Sequence, residues 1–231
     1  MDTHADSPTS DRRIVPLAGL RGIIARAMTR AWEAPRVALG LEVEVDALLA
    51  RCRALSEASG VKVTPTAGVL AALARTLPTH PRLNALLTDQ GIEEVHAVHI
   101  AVAVDTPAGL MTPVVRDAEK KTPAAIAAEL ADLAHRARTG KLPPSAYQRG
   151  TFTFSNLGAA GIDWVTPVLN PPQVAILGMG RTREAMVVRD GVPTVARVAT
   201  ITLVFDHRAA DGMPASQFLR DLGTCIASAD I

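Results

Sequence analysis

A histidine followed after four residues by an aspartate and a glycine closes an apolar run in Thr202-Leu203-Val204-Phe205-Asp206-His207-Arg208-Ala209-Ala210-Asp211-Gly212. An imidazole with an ordinary pKa near ~6.5 takes up and returns a proton at neutral pH, which makes His207 a candidate general base. Asp211 can hold neighbouring backbone or a cation in place, and Gly212 permits a turn or close approach that a Cβ would block. A second constellation lies upstream, in Gly150-Thr151-Phe152-Thr153-Phe154-Ser155-Asn156-Leu157-Gly158. Its alternating hydroxyl and aromatic residues deliver Ser155 and Asn156 to a glycine-bounded turn. A hydroxyl there can donate to a developing oxyanion, a contribution of roughly 3 kcal/mol in a dry site. Both segments also have a purely structural reading: a histidine at a strand end, and a turn whose Asn and Gly satisfy backbone geometry. His207 and Asp211 face the same way only if the turn between them is helical.

The elements that must position these residues are legible from apolar periodicity and turn chemistry. Ile23, Ile24, Ala27, Met28 and Ala31 form a helical stripe within residues 20–33, which stops before Pro35. Residues 37–45 alternate as a strand with one solvated face, and Asp46 reads as the N-cap of a helix to Ser59, ended by Gly60. Residues 64–77 suit a buried helix; 82–87 is ambiguous. Residues 98–104 are a nearly continuous apolar run, hence a buried strand, which 110–115 extends or pairs with after Pro107-Ala108-Gly109. Thr122-Pro123 starts a helix to about Arg138, with Gly140 beyond it. Residues 151–155, 174–179, 185–189 and 197–205 read as strands, with a hairpin at Asp190-Gly191. An amphipathic helix over about 214–228 closes the chain. Hairpins among the late strands favour a mixed sheet packed with helices in one domain, an α/β chain of two-layer α+β type.

Composition narrows the function. The chain has 231 residues, of which 48% are hydrophobic and 20% charged, a globular balance able to bury a substantial core. Aromatics are 3%, too few for base-stacking platforms, and a net charge of +1 with no basic block offers nothing to nucleic acid or an anionic membrane. Cys52 and Cys225 lie far apart and outside any metal-type spacing, so two reduced, packed thiols are expected. Residues 1–12 read as a flexible polar head, with Asp2, Asp6 and Asp11 arguing against a transit peptide. A soluble, cytoplasmic protein is the expectation.

The histidine segment resembles the HxxxDG signature of the superfamily that includes chloramphenicol acetyltransferase and the dihydrolipoyl acyltransferase cores of 2-oxoacid dehydrogenase complexes. Three further stretches look like the dihydrolipoyl acyltransferase catalytic domain: residues 102–115, the segment from Gly150 through Asn170-Pro171-Pro172-Gln173 to Gly180, and the Arg-rich opening helix at 21–28. The similarity runs in order over about 13–227. It implies a chloramphenicol acetyltransferase-like fold and a homotrimer with its active site between subunits. His207 would act as general base on the thiol of coenzyme A or dihydrolipoamide, and Ser155 of a neighbouring chain would donate to the tetrahedral oxyanion. Asp211 would hold local geometry through a basic partner, with Arg30 a candidate; Asn156 and Gly212 would be structural supports. No metal is required, because imidazole can activate a thiol.

Some features depart from that family. No lipoyl or peripheral-subunit-binding domain is expected before the core in these residues, and none of Lys62, Lys120, Lys121 or Lys141 sits in the Asp-Lys-Ala context that carries lipoate. The expectation is either an excised catalytic core or a free-standing acyltransferase, with any lipoyl group supplied by another protein, such as a separate lipoyl-domain protein working with 2-oxoacid dehydrogenase components. The short, partly polar C-terminus suggests a trimer that forms no large cage. Arg36 follows Pro35 where the family often has histidine, which affects substrate-side contacts. Two other functions compete: a stand-alone coenzyme A-dependent acyltransferase with an amine or hydroxyl acceptor, and a non-catalytic trimeric scaffold.

Overall fold

The computed structural model describes residues 12–231, so the head expected over 1–12 lies, but for Arg12, outside the described residues. The helices are α1 (Gly19–Trp32), α2 (Asp46–Ser59), α3 (Pro65–Thr76), α4 (Pro123–Arg138) and α5 (Gly212–Ser228). The strands are β1 (Arg36–Glu44), β2 (Ala85–Thr88), β3 (Gly91–Glu94), β4 (Ile100–Val102), β5 (Val104–Thr106), β6 (Gly109–Met111), β7 (Val114–Val115), β8 (Phe152–Asn156), β9 (Ala175–Met179), β10 (Arg183–Arg189) and β11 (Val192–Asp206).

The main sheet runs β1-β11-β9-β8-β4-β7, with β10 paired to the first half of β11. Strand β8 is parallel to β9 and β4, whereas β11 is antiparallel to β1, β9 and β10, so the sheet is mixed as the hairpin signals imply. Odd-numbered residues of β11 (Ile201, Leu203, Phe205) join Phe152, Phe154 and Leu177 in the large core, which takes Leu48, Leu70, Leu73, Ile126, Phe218 and Leu222 from α2 to α5. With few aromatics available, this core is built mainly of Ala, Val, Leu and Ile. The opposite sheet face carries a much smaller cluster: Ala34, Leu169, Ile176 and Val204.

Local chemistry explains the helix starts. Thr64 Oγ1 accepts the Ala67 N–H at 3.2 Å and Thr122 Oγ1 the Ala125 N–H at 3.2 Å, each followed by a proline in the first turn that has no N–H to leave unpaired. Asp46 differs from expectation. It is the first helical residue, after the N-cap Val45, and its carboxylate faces the neighbouring strand instead of its own helix. The Arg197 N–H donates to Asp46 Oδ2 at 2.9 Å and Arg197 Nε to Oδ1 at 2.6 Å, which holds the Asp46 carboxyl below the usual carboxylate range.

The apolar run at 98–104 is not one strand. Ala103 donates its N–H to Phe154 O at 2.9 Å and ends β4; the chain then enters the β5–β6 hairpin, where Thr106 pairs with Gly109 across Pro107-Ala108. Pro113 separates β6 from β7, and its carbonyl accepts the Val102 N–H at 2.8 Å. The ambiguous 82–87 segment is a turn running into β2, which pairs with β3. The strand expected at 197–205 begins earlier, at Val192, after an Asp190-Gly191 turn with φ of 51° and 78°. Two positive φ values fit the hairpin signal at that dipeptide. Both cysteines are free thiols, Cys52 buried and Cys225 half-buried. No helix among the described residues is long and apolar enough to cross a membrane.

Candidate active site

Strand β11 delivers the histidine. His207 stands one residue past its end, with its backbone N–H donated to Pro35 O at 2.9 Å and its ring 5.8 Å from that of Phe205. The turn that follows is helical in character: the N–H groups of Ala209 and Ala210 both reach Asp206 O, at 3.0 and 3.2 Å. That turn brings Asp211 Oδ1 to 3.8 Å from His207 Nδ1, so the four-residue spacing does place both on one side. The separation is an electrostatic contact, longer than a hydrogen bond. The imidazole and carboxylate side chains are 45% and 84% exposed.

Strand β8 delivers the serine. Ser155 lines an apolar cavity of about 340 Å³ with Met28, Leu110, Val165, Leu169 and Ile176. Among the described residues its hydroxyl has no hydrogen-bond partner. Two residues back on the same face, Thr153 Oγ1 donates to Gln173 Oε1 at 2.5 Å and accepts from Asn170 Nδ2 at 3.3 Å, fixing the cavity floor. Asn156 holds the turn: its Nδ2 donates to Thr66 Oγ1 at 3.1 Å and its Oδ1 accepts the Gly158 N–H at 2.8 Å.

These two half-sites do not meet within one chain. Ser155 pairs with Gly178, and Gly178 with Thr202, five residues before His207. Five residues along a strand and two strand spacings across put Ser155 and His207 about 19 Å apart. Strand alternation also places them on opposite sides: Ser155 shares a face with Thr202 and Val204, and His207 follows Phe205 on the other.

Arg30 and Gly212 complete the expected supports. Arg30 forms no ion pair with Asp211; it lines a cleft of about 90 Å³ with Asp206 and Arg208, and the ion pair of Asp211 among the described residues is with His207. Gly212 opens α5, and a Cβ there would meet nothing within 4 Å, so the single chain does not require glycine at that position.

Sequence reasoning passed over the glycines behind the cavity wall. A Cβ on Gly180 would lie 1.8 Å from Asp163 O, and one on Gly178 2.9 Å from Val165 Cγ1. The segment through Asp163 and Val165 therefore lies directly on the sheet, secured by Arg181 N–H to Ile162 O at 2.7 Å and Arg181 Nε to Asp163 at 2.6 Å. Gly180→Ala is expected to lower the unfolding free energy by about 1–3 kcal/mol, read by urea denaturation, because backbone cannot yield as a side chain does.

The chain matches 2-oxoacid dehydrogenases acyltransferase (catalytic domain) over residues 9–230. It is 39% identical over 212 residues to the dihydrolipoyllysine-residue acetyltransferase component of the pyruvate dehydrogenase complex of Bacillus subtilis, covering 89% of this chain and 48% of that protein. The chain spans about half or less of the length of the curated relatives it matches. A solved dihydrolipoamide acetyltransferase of Azotobacter vinelandii superposes with a TM-score of 0.88 at 33% identity, over 98% of this chain and 97% of that one. That structure served to investigate a serine, a histidine 52 residues later and an asparagine four beyond it in the catalytic mechanism. The cubic core of a pyruvate dehydrogenase multienzyme complex superposes with a TM-score of 0.88 at 32% identity, covering 98% and 97% of the two chains. The family match along nearly the whole sequence, the identity to the curated relatives and the close superposition agree, and the chain belongs to the family of 2-oxoacid dehydrogenase acyltransferase catalytic domains.

Proposed function

We propose that this chain moves an acetyl group between coenzyme A and a dihydrolipoyl thiol, in a site completed between copies of a cyclic trimer. The observation that carries the reading is the pair of open half-sites: an exposed histidine, and an apolar cavity ending in an unpartnered serine hydroxyl on the opposite sheet face. Ser155, His207 and Asp211 have the same spacing as the serine, histidine and asparagine investigated in the Azotobacter enzyme, which supports assigning them the reaction.

His207 Nε2 takes the S–H proton, with Asp211 stabilising the imidazolium that results. The thiolate sulfur attacks the thioester carbonyl carbon, and the carbonyl π electrons move onto oxygen. Ser155 Oγ–H of the adjacent copy donates to that oxyanion. Collapse re-forms the carbonyl, breaks the old C–S bond, and returns the proton from His207 to the departing thiolate. Coenzyme A is thus a substrate. The lipoyl group is carried outside these residues, and the domain that bears it would bring 2-oxoacid dehydrogenase components with it.

Acetyl-coenzyme A with dihydrolipoamide is the direct test. Release of coenzyme A is expected to saturate in both substrates and to exceed turnover with amine or hydroxyl acceptors by about 100-fold or more. Preferential use of an amine or alcohol would replace this reading with the stand-alone acyltransferase, and no turnover at all would leave the scaffold.

A further inference from the structure

Immediately before His207, Asp206 is a buried carboxylate, its side chain 5% exposed, at the end of a strand that meets solvent. A charge in that position needs compensation. Arg208 supplies it from the other side of the histidine: its backbone N–H donates to Oδ1 at 3.0 Å, Nε to Oδ1 at 2.9 Å and to Oδ2 at 3.2 Å, and Nη2 to Oδ2 at 2.5 Å. The main chain of Asp206 is equally committed. Its N–H goes to Val174 O at 2.9 Å, and its carbonyl takes both Ala209 and Ala210. With His207 N–H on Pro35 O, nearly every polar atom flanking the imidazole is bound. The histidine side chain itself touches only Phe205 and Asp211 among the contacts described, so its direction follows from the backbone that carries it.

We propose that Asp206 and Arg208 form a clamp across His207 that sets the angle at which the imidazole is presented, making both of them positioning residues for the reaction. This rests on the acyl-transfer reading above. The guanidinium is 55% exposed, so the clamp is closed by a group that can be altered without opening the core. The charged groups gathered at this turn are Asp206, Arg208 and Asp211 on the turn itself, Arg30 from α1, and Arg36, the cross-strand partner of Asp206 on β1.

Two effects separate positioning from plain structural support. Displacing a base by about 1 Å lowers turnover by as much as 100-fold, so Arg208→Met should reduce kcat by roughly 10- to 100-fold with KM within about twofold. Arg208→Lys, which keeps the charge but loses the fork, should recover part of that loss. Arg208→Met also leaves an uncompensated Asp206 anion one residue from His207, so the acidic limb of the kcat/KM profile, which the general base sets, should move to higher pH, whereas Asp206→Asn with Arg208 retained should move it lower. The measurements are kcat, KM and pH profiles of the assembled protein, with sedimentation and thermal unfolding confirming that the variants assemble. Loss of kcat with shifts of opposite sign supports the clamp. If Asp206→Asn does not assemble, the Arg208 pair decides alone. Arg208→Met with wild-type kcat and an unmoved profile overturns the clamp. His207→Ala in the same series tells the two readings apart: full activity there sinks the acyl-transfer mechanism, whereas a dead His207→Ala beside an unaffected Arg208→Met sinks only the clamp.

Discussion

Replacing His207 by Ala is expected to lower kcat by about 10²–10⁴-fold while leaving assembly and thermal stability unchanged. The size of the fall follows from the substrate. A free thiol with a pKa near ~8.5 is already a few per cent thiolate at neutral pH, so removing the base slows the reaction without abolishing it. The protonated thiol majority loses its acceptor, and the departing thiolate loses its proton donor. Stability should hold because the imidazole is 45% exposed, with Phe205 its ring neighbour, while the backbone N–H that ties the turn to Pro35 O remains. Steady-state rates with acetyl-coenzyme A and dihydrolipoamide, alongside a melting curve, decide it. An unchanged rate would mean that the thiol is activated elsewhere.

Some of this architecture was readable before any coordinates, and the division has physical causes. Thr64-Pro65 and Thr122-Pro123 mark helix starts because capping is chemistry between residues three apart, and both caps form. Asp190-Gly191 marks a hairpin because only certain residues accept two consecutive positive φ values. His207, Asp211 and Ser155 stand out in the sequence by type and spacing, and the roles proposed for them are those the resemblance implies. What escaped depended on partners distant in sequence. Asp46 reads as a cap until Arg197, on β11, claims its carboxylate. The apolar run at 98–104 reads as one strand until Ala103 bonds to Phe154 and the chain changes sheets. The Asp206–Arg208 clamp is local, yet alternating charges around a histidine look like ordinary strand-end polarity. Burial of one partner distinguishes them, and burial is a property of the fold.

Mixing two inactive variants gives the second large effect, and it tests where the site is. Ser155→Ala alone should lower kcat by about 10²–10³-fold, the usual loss for one oxyanion donor. In an intrachain site, a chain lacking Ser155 and a chain lacking His207 could never help each other. The sheet argues otherwise, since its register holds the two residues about 19 Å apart on opposite faces, farther than any thioester carbonyl and attacking sulfur can bridge. In a cyclic trimer each site would draw His207 from one copy and Ser155 from the next. Unfolding the two variants together and refolding them at equal concentration then makes a site productive only when an intact histidine meets an intact serine across the correct interface. Random assortment gives about one quarter of wild-type activity, from chains that separately have almost none. Activity that stays at the level of the separate variants, despite exchanged subunits, would place both groups in a single chain and require a rearrangement of β8 against β11.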